Sequence, residues 1–302
     1  MIQTMGELYN MRFLIIFLSL FLSFFTSCSS DRKKNKPLTI ATNSWIGYAP
    51  LFYAKEKGYL KKNGIKLLVN VSLGEAAELY SVGKADMLTT TQHEYYALKK
   101  DFDLVPFILL DRSNGGDMVL SNKTIDELQN AKSITAYLEI DSINAEILKD
   151  FLKLYNIPLN KLHMINRDQA QIEDIEPNNE QAIVIVTYVP YNISLEKKGF
   201  QVIASTKDIN SIIVIDSLCT SKSIFKKQFE NLKTLKSIID RSVEELMQDK
   251  ENSYLLVKKY LGNLSYKEYL ESLQTITWIN KPSPELLDRI EPLGYERRYI
   301  LP

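Results

Sequence analysis

The sequence predicts an α/β protein of two lobes, on three observations. Short runs rich in β-branched residues alternate with amphipathic stretches from Leu38 onward, the pattern of strands and helices in layered domains. Two such blocks follow one another, and a strongly helical block comes behind them. The roughly 265 residues involved are more than one core readily serves, which favours two.

In the first block, residues 38–43, 65–71, 86–90 and 105–111 are expected strands. Between them, 50–62 carries Leu51, Phe52, Ala54, Tyr59 and Leu60 on a helical pattern, with Pro50 suited to the first turn and Asn63-Gly64 as the stop. Residues 75–82 and 93–100 are the next two helices. This β-α repeat predicts a mainly parallel sheet. The second block begins near Met118, with strands at 133–137, 161–166 and 182–187. Asp141-Ser142 is expected to cap a helix that reaches Asn156. In the third block, 223–262, Ile224, Phe225, Phe229, Leu232, Leu235, Ile238 and Ile239 recur at helical spacing.

The 302 residues hold 37 Lys+Arg against 37 Asp+Glu, 45% hydrophobic and 25% charged, values that exclude disorder and fibrous classes. Zero formal net charge offers no field for a polyanion, so nucleic acid is not an expected partner. No repeat of 20 to 50 residues points to a solenoid. Two cysteines, Cys28 and Cys219, are too few for a disulfide scaffold or a thiolate metal site.

The N-terminus indicates where the chain works. Met11-Arg12 precedes an uncharged run from Phe13 to Phe25, too short to span a bilayer, which needs about 20 apolar residues. A cationic start, an apolar core and small residues are the parts of a secretory signal peptide. Phe-Thr-Ser-Cys at 25–28 resembles the lipobox of bacterial lipoproteins, which implies a signal peptide over 1–27 and a lipid anchor on Cys28. An uncleaved signal anchor is the competing reading. Residues 28–36 then form a polar tether with Arg32, Lys33, Lys34 and Lys36 against Asp31. The expected location is outside the cytoplasm, membrane-anchored and facing the periplasm or cell exterior.

Ligands of open α/β sheets bind beyond the C-terminal ends of the strands. Here those ends carry TNSWIGYAPLFYAKEKGYL (42–60), VSLGEAAELYSVGKADMLTTTQHE (71–94) and DRSNGGD (111–117). With these motifs the chain resembles the substrate-binding proteins of ABC importers, of the nitrate/sulfonate/taurine type that also includes binders of thiamine-precursor pyrimidines. The likeness is weaker through 133–220, where TYVPY (187–191) stands in the place of the family's Trp-Glu-Pro segment and Val189 replaces its frequent glutamate. The resemblance implies a type II periplasmic-binding-protein fold, two α/β lobes joined by two crossover segments with the ligand cleft between them. The crossovers are expected near 119–121 and 213–216, so lobe I is 37–118 plus 214–302 and lobe II is 119–213. It also implies closure about a hinge, read by an ABC permease.

Trp45 and Tyr48, with Tyr188 and Tyr191 opposite, are candidates to sandwich a flat ring or cover an ammonium group. Ser44, Thr90, Thr91 and Ser113 offer hydroxyls, and Ser142 opens a helix whose free N–H groups suit an anion. Gly74 and Gly116 allow close backbone approach. Glu94, Asp111 and Asp117 are carboxylates with only Arg112 beside them, an arrangement that favours an amine-bearing ligand over a bare oxyanion. Each of these also has an ordinary structural use in packing, capping or turns.

No catalytic motif accompanies these residues. His93 and His163 lack HExxH spacing, and neither a GxSxG elbow nor a phosphate loop occurs. The expectation is a monomeric binding protein without enzymatic activity, cofactor or metal, which delivers an amine-bearing, pyrimidine-like or sulfonate-like molecule to an ABC permease. The alternatives are a sensory protein read by a membrane receptor, or a secreted enzyme on the same scaffold.

Overall fold

The computed structural model describes residues 37–70, 72–209 and 213–302; Cys28, the 1–27 leader and the 28–36 tether lie outside them. The first sheet contains β1 (Leu38–Asn43), β2 (Ile65–Asn70), β3 (Met87–Thr91) and β4 (Leu104–Ser113). The second contains β5 (Asp117–Ser121), β6 (Ile134–Leu138), β7 (Leu162–Asn166), β8 (Ala182–Tyr188) and β9 (Gln201–Ser205). The chain then returns to the first sheet as β10 (Ile215–Ser221) and β11 (Ile276–Trp278). The strand orders are β11-β4-β10-β3-β1-β2 and β7-β6-β8-β5-β9.

Neither sheet is mainly parallel, which corrects the expectation from the β-α repeat. β1 pairs in parallel with β2 and β3, but β10 lies antiparallel between β3 and β4, and β11 pairs antiparallel with β4. In the second sheet β6 pairs in parallel with β7 and β8, whereas β5 is antiparallel to β8 and β9. The repeat does orient its own strands alike; β5 and β10, the strands by which the chain enters each sheet from the other, insert the opposite way. The first crossing falls at Asn114–Gly116, ahead of the expected 119–121, which is part of β5. Residues 215 and 216, expected in the second crossing, are the first of β10.

The 50–62 stretch is two helices, Ala49–Glu56 and Tyr59–Lys62, because Gly58 takes φ 72° and interrupts the first. Ser142 alone caps the Ile143–Leu154 helix, accepting from Asn144 N at 3.2 Å, while Asp141 is exposed. The third block forms Lys222–Lys227, Phe229–Gln248 and Lys250–Val257. Among the described residues no helix is long and apolar enough to cross a membrane.

The inner strands β4, β5 and β8 are buried along almost their whole length, whereas the edge strands β7 and β9 are mostly exposed or half-buried. One core, including Ile40, Phe52, Phe107, Ile185 and Tyr188, runs without a break from the first sheet to the second. Phe151 and Val186 belong to a separate core in the second lobe, and Leu88, Leu109 and Tyr295 to one in the first. The Phe229–Gln248 helix packs on Ala49–Glu56 and buries Leu232, Leu235 and Ile239. Leu235 has no solvent exposure. Leu235→Ala should therefore lower the unfolding free energy by about 3 kcal/mol in urea denaturation, and a loss below about 1 kcal/mol would show that the cavity collapses freely.

Candidate functional site

The ends of β1, β3, β4 and β8 and the start of the Ile143–Leu154 helix converge between the lobes. Their side chains enclose a void lined by Asn43, Trp45, Tyr48, Thr91, Asp117 and Tyr188, with Leu73, Ile143 and Asp216 completing the wall. It measures about 10 Å³, room for one water. No lysine, arginine or histidine lines it.

The loop after β1 supplies the donors. Trp45 Nε1 donates to Asp111 Oδ1 at 3.0 Å, and the Tyr48 hydroxyl donates to Asp216 Oδ1. The loop reaches this depth because residue 47 is glycine: an added Cβ would lie 2.1 Å from Asp111 Oδ2 and 2.3 Å from Trp45 Nε1. Gly116 is constrained in the same way, its missing Cβ leaving space for the far edge of the Trp45 ring. Trp45 meets Tyr188 edge to face at 5.9 Å, and Tyr188 meets Tyr191 likewise at 5.4 Å.

Several contacts bridge the lobes. Asn43 Nδ2 donates to the Tyr188 hydroxyl at 3.0 Å. Glu94 belongs to the capping box that opens the Gln92–Leu98 helix, accepting from Thr91 N at 2.9 Å. Its other oxygen accepts from Ile143 N in the opposite lobe at 3.0 Å. Beside it, His93 Nδ1 lies 2.8 Å from Glu146 Oε1. That carboxylate holds the His93 pKa above its ordinary value.

The electrostatics follow from burial. Asp111 is pushed up to about 8 by loss of water, against the Trp45 hydrogen bond, with the charge of Asp117 adding to the rise. Asp117 is pushed up to about 7 by burial, opposed by Ser113 and reinforced by Glu94. Asp216 is raised well above the usual range by burial and then by Asp111. Asp111 Oδ2, Asp117 Oδ2, Asn43 Oδ1 and Asn144 Oδ1 have no hydrogen-bond partner.

The sequence profile of the family described as "NMT1/THI5 like" matches residues 45–253. The chain belongs to the NMT1/THI5-like family. No curated protein matches it in sequence. Its fold is that of the ligand-binding component of an ABC-type import system from Staphylococcus aureus, solved with zinc bound (TM-score 0.69, 13% identity, 85% of this chain and 90% of that one). It is similar also to the periplasmic aliphatic sulphonate binding protein of Escherichia coli (0.63, 17%, 85% and 90%). A Candida albicans protein described as having the generic periplasmic binding protein structural fold matches too (0.62, 12%, 85% and 90%). The two-lobed periplasmic-binding-protein fold expected from the sequence is therefore present.

Within this NMT1/THI5-like chain, Trp45, Tyr48, Thr91, Asp117 and Tyr188 meet at the void, with Glu94, Asp111 and Gly116 directly behind them. Ser44 and Tyr191 hydrogen-bond each other and line a larger hollow at the mouth. Ser113 ties the joint instead, through Thr206 Oγ1 at 2.9 Å and Asp117 N at 3.1 Å. Two of the expected residues are set apart. Strand alternation turns Thr90 away toward Cys219 Sγ at 3.3 Å, and Gly74 is exposed in the first turn of the Leu73–Ser81 helix. Asp216 was missed as a site residue; it is the lone charged residue of β10, at the strand's second position. Among the described residues no three His, Cys, Asp or Glu side chains are grouped to hold a metal.

Because folding raises the Asp117 pKa from 3.8 to about 7, the stability this group contributes is complete below pH 3.8 and is lost as pH rises through 7. Asp117→Asn should thus gain on the wild type across that window, by up to about 1.4 kcal/mol per pH unit. Urea denaturation at stepped pH measures this, and a pH-independent difference would mean that Asp117 titrates alike folded and unfolded.

Proposed function

We propose that this chain is the extracytoplasmic solute-binding component of an ABC import system, anchored through a lipid on Cys28, that captures a small polar organic molecule and presents its closed form to the permease. The observation that carries the reading is the gathering of unpartnered polar atoms around an enclosed void at the strand ends between two lobes. Family membership and a fold shared with binding components of importers support it. The chemistry is recognition, by ring contacts, hydroxyls, backbone donors and carboxylates. The lobes part to admit the solute, because the present void holds no organic molecule, and closure remakes the contacts of Glu94, His93 and Asn43.

Native mass spectrometry of protein purified without denaturation tests the reading. A discrete added mass that disappears on unfolding is the expected result. Bare protein, together with no thermal response to aminopyrimidines, sulfonates or amines, would overturn it. For the anchor, Cys28→Ala should abolish lipid labelling and release the protein from the membrane fraction; labelling that persists would remove Cys28 from that role.

A further inference from the structure

The charge of the ligand follows from which hydrogen-bonding groups of the cleft are free and which are taken. Asp117 lines the void, is 4% exposed, and its Oδ2 accepts nothing. Asp111, with no exposure, holds Oδ2 equally unpartnered one residue layer behind. A buried acceptor without a donor is strongly unfavourable, and a carboxylate more so. No cationic side chain lines the void to answer them.

The donors, by contrast, are mostly in use; the exception is the Tyr188 hydroxyl, which accepts from Asn43 Nδ2 and keeps its own O–H for a neutral or anionic acceptor. Trp45 Nε1 and the Tyr48 hydroxyl serve Asp111 and Asp216. The N-terminus of the Ile143–Leu154 helix, the natural seat for an oxyanion, already holds one: Ile143 N donates to Glu94 Oε1 at 3.0 Å, and Asn144 N donates to Ser142 Oγ. The Glu94 carboxylate is fixed there from its own side by Thr91 N at 2.9 Å and Thr91 Oγ1 at 2.5 Å.

Resting on the solute-binding reading, we infer that the ligand is a small organic cation, an ammonium or amidinium whose N–H groups satisfy Asp117, with Asp111 behind it adding negative potential, and that Glu94 excludes oxyanions by occupying the helix N-terminus they require. Charge-assisted hydrogen bonds to the Asp117 carboxylate supply the recognition, and the rings of Trp45 and Tyr188 enclose the cation. Such a ligand ionises carboxyl groups that burial otherwise keeps protonated, so its binding releases protons and tightens as pH rises. The titratable groups facing Asp117 and Asp111 are Glu94, Asp216, Tyr48 and Tyr188, none of which is cationic near neutral pH.

The test is calorimetry and thermal shift on the purified protein with benzamidine, methylguanidinium and propylammonium. These are set against benzamide, propanesulfonate and nitrate, each to about 20 mM, a range that detects even weak sites. At least one cation should saturate the wild type, bind several-fold tighter at pH 8 than at pH 6, and weaken at least tenfold in Asp117→Asn. Glu94→Gln should acquire a response to propanesulfonate, and circular dichroism should show both variants folded. Binding of propanesulfonate, nitrate or benzamide to the wild type with the cations silent would overturn the charge assignment and leave the solute-binding reading intact. Cation binding unchanged in both Asp117→Asn and Asp111→Asn would likewise overturn it. If no probe binds, the co-purified mass decides: a cationic formula upholds the inference, and a neutral or anionic one refutes it. Absence of any retained mass as well would overturn the solute-binding reading itself.

Discussion

Asp111, Asp117 and Asp216 share a cleft closed to water, and carboxyl groups so placed cannot all ionise without a compensating donor or charge. Much of the local architecture answers to that constraint. The loop after β1 brings Trp45 and Tyr48 to two of the three, and it arrives only because Gly47 has no side chain to strike Asp111. Gly116 makes room for the same indole from the other side. What these donors do not satisfy are the Oδ2 atoms of Asp111 and Asp117, of which Asp117 lines the void.

The joint between the lobes is part of the site. β4 ends with Asp111, Arg112 and Ser113, the chain crosses at 114–116, and β5 begins with Asp117, so two of the carboxylates flank the crossing. Ser113 Oγ and Gly115 N both meet the Thr206 hydroxyl, which follows β9 on the way back to the first sheet. The outgoing and returning connections are thereby tied together. Asp111, in the first sheet, and Asp117, in the second, thus stand on opposite sides of the joint.

Glu94 ties one helix cap to another across the lobes. Within its own lobe it completes a capping box, an ordinary device for the first turn of a helix. Across the cleft the same carboxylate meets the dipole of a second helix at Ile143 N. His93–Glu146 lies beside it and Lys197–Glu268 also joins the lobes, but these pairs are largely exposed and add little beyond orientation.

The sequence by itself determined the alternation of strands and helices, the two-lobed class and the strand-end segments that carry Trp45, Asp111 and Asp117, because period and turn chemistry are local and written in neighbouring residues. It misjudged strand direction, since β5 and β10 enter each sheet against the repeat, and nothing in a strand's own residues records which way its neighbour runs. It placed Thr90 among the ligand hydroxyls, although a one-residue change of register along β3 decides which threonine faces the cleft. Only the tertiary structure decided that Tyr48 meets Asp216, 168 positions away, and that Glu94 reaches Ile143 in the other lobe. Those meetings depend on how two sheets close on each other, a long-range packing outcome that no window of the chain contains.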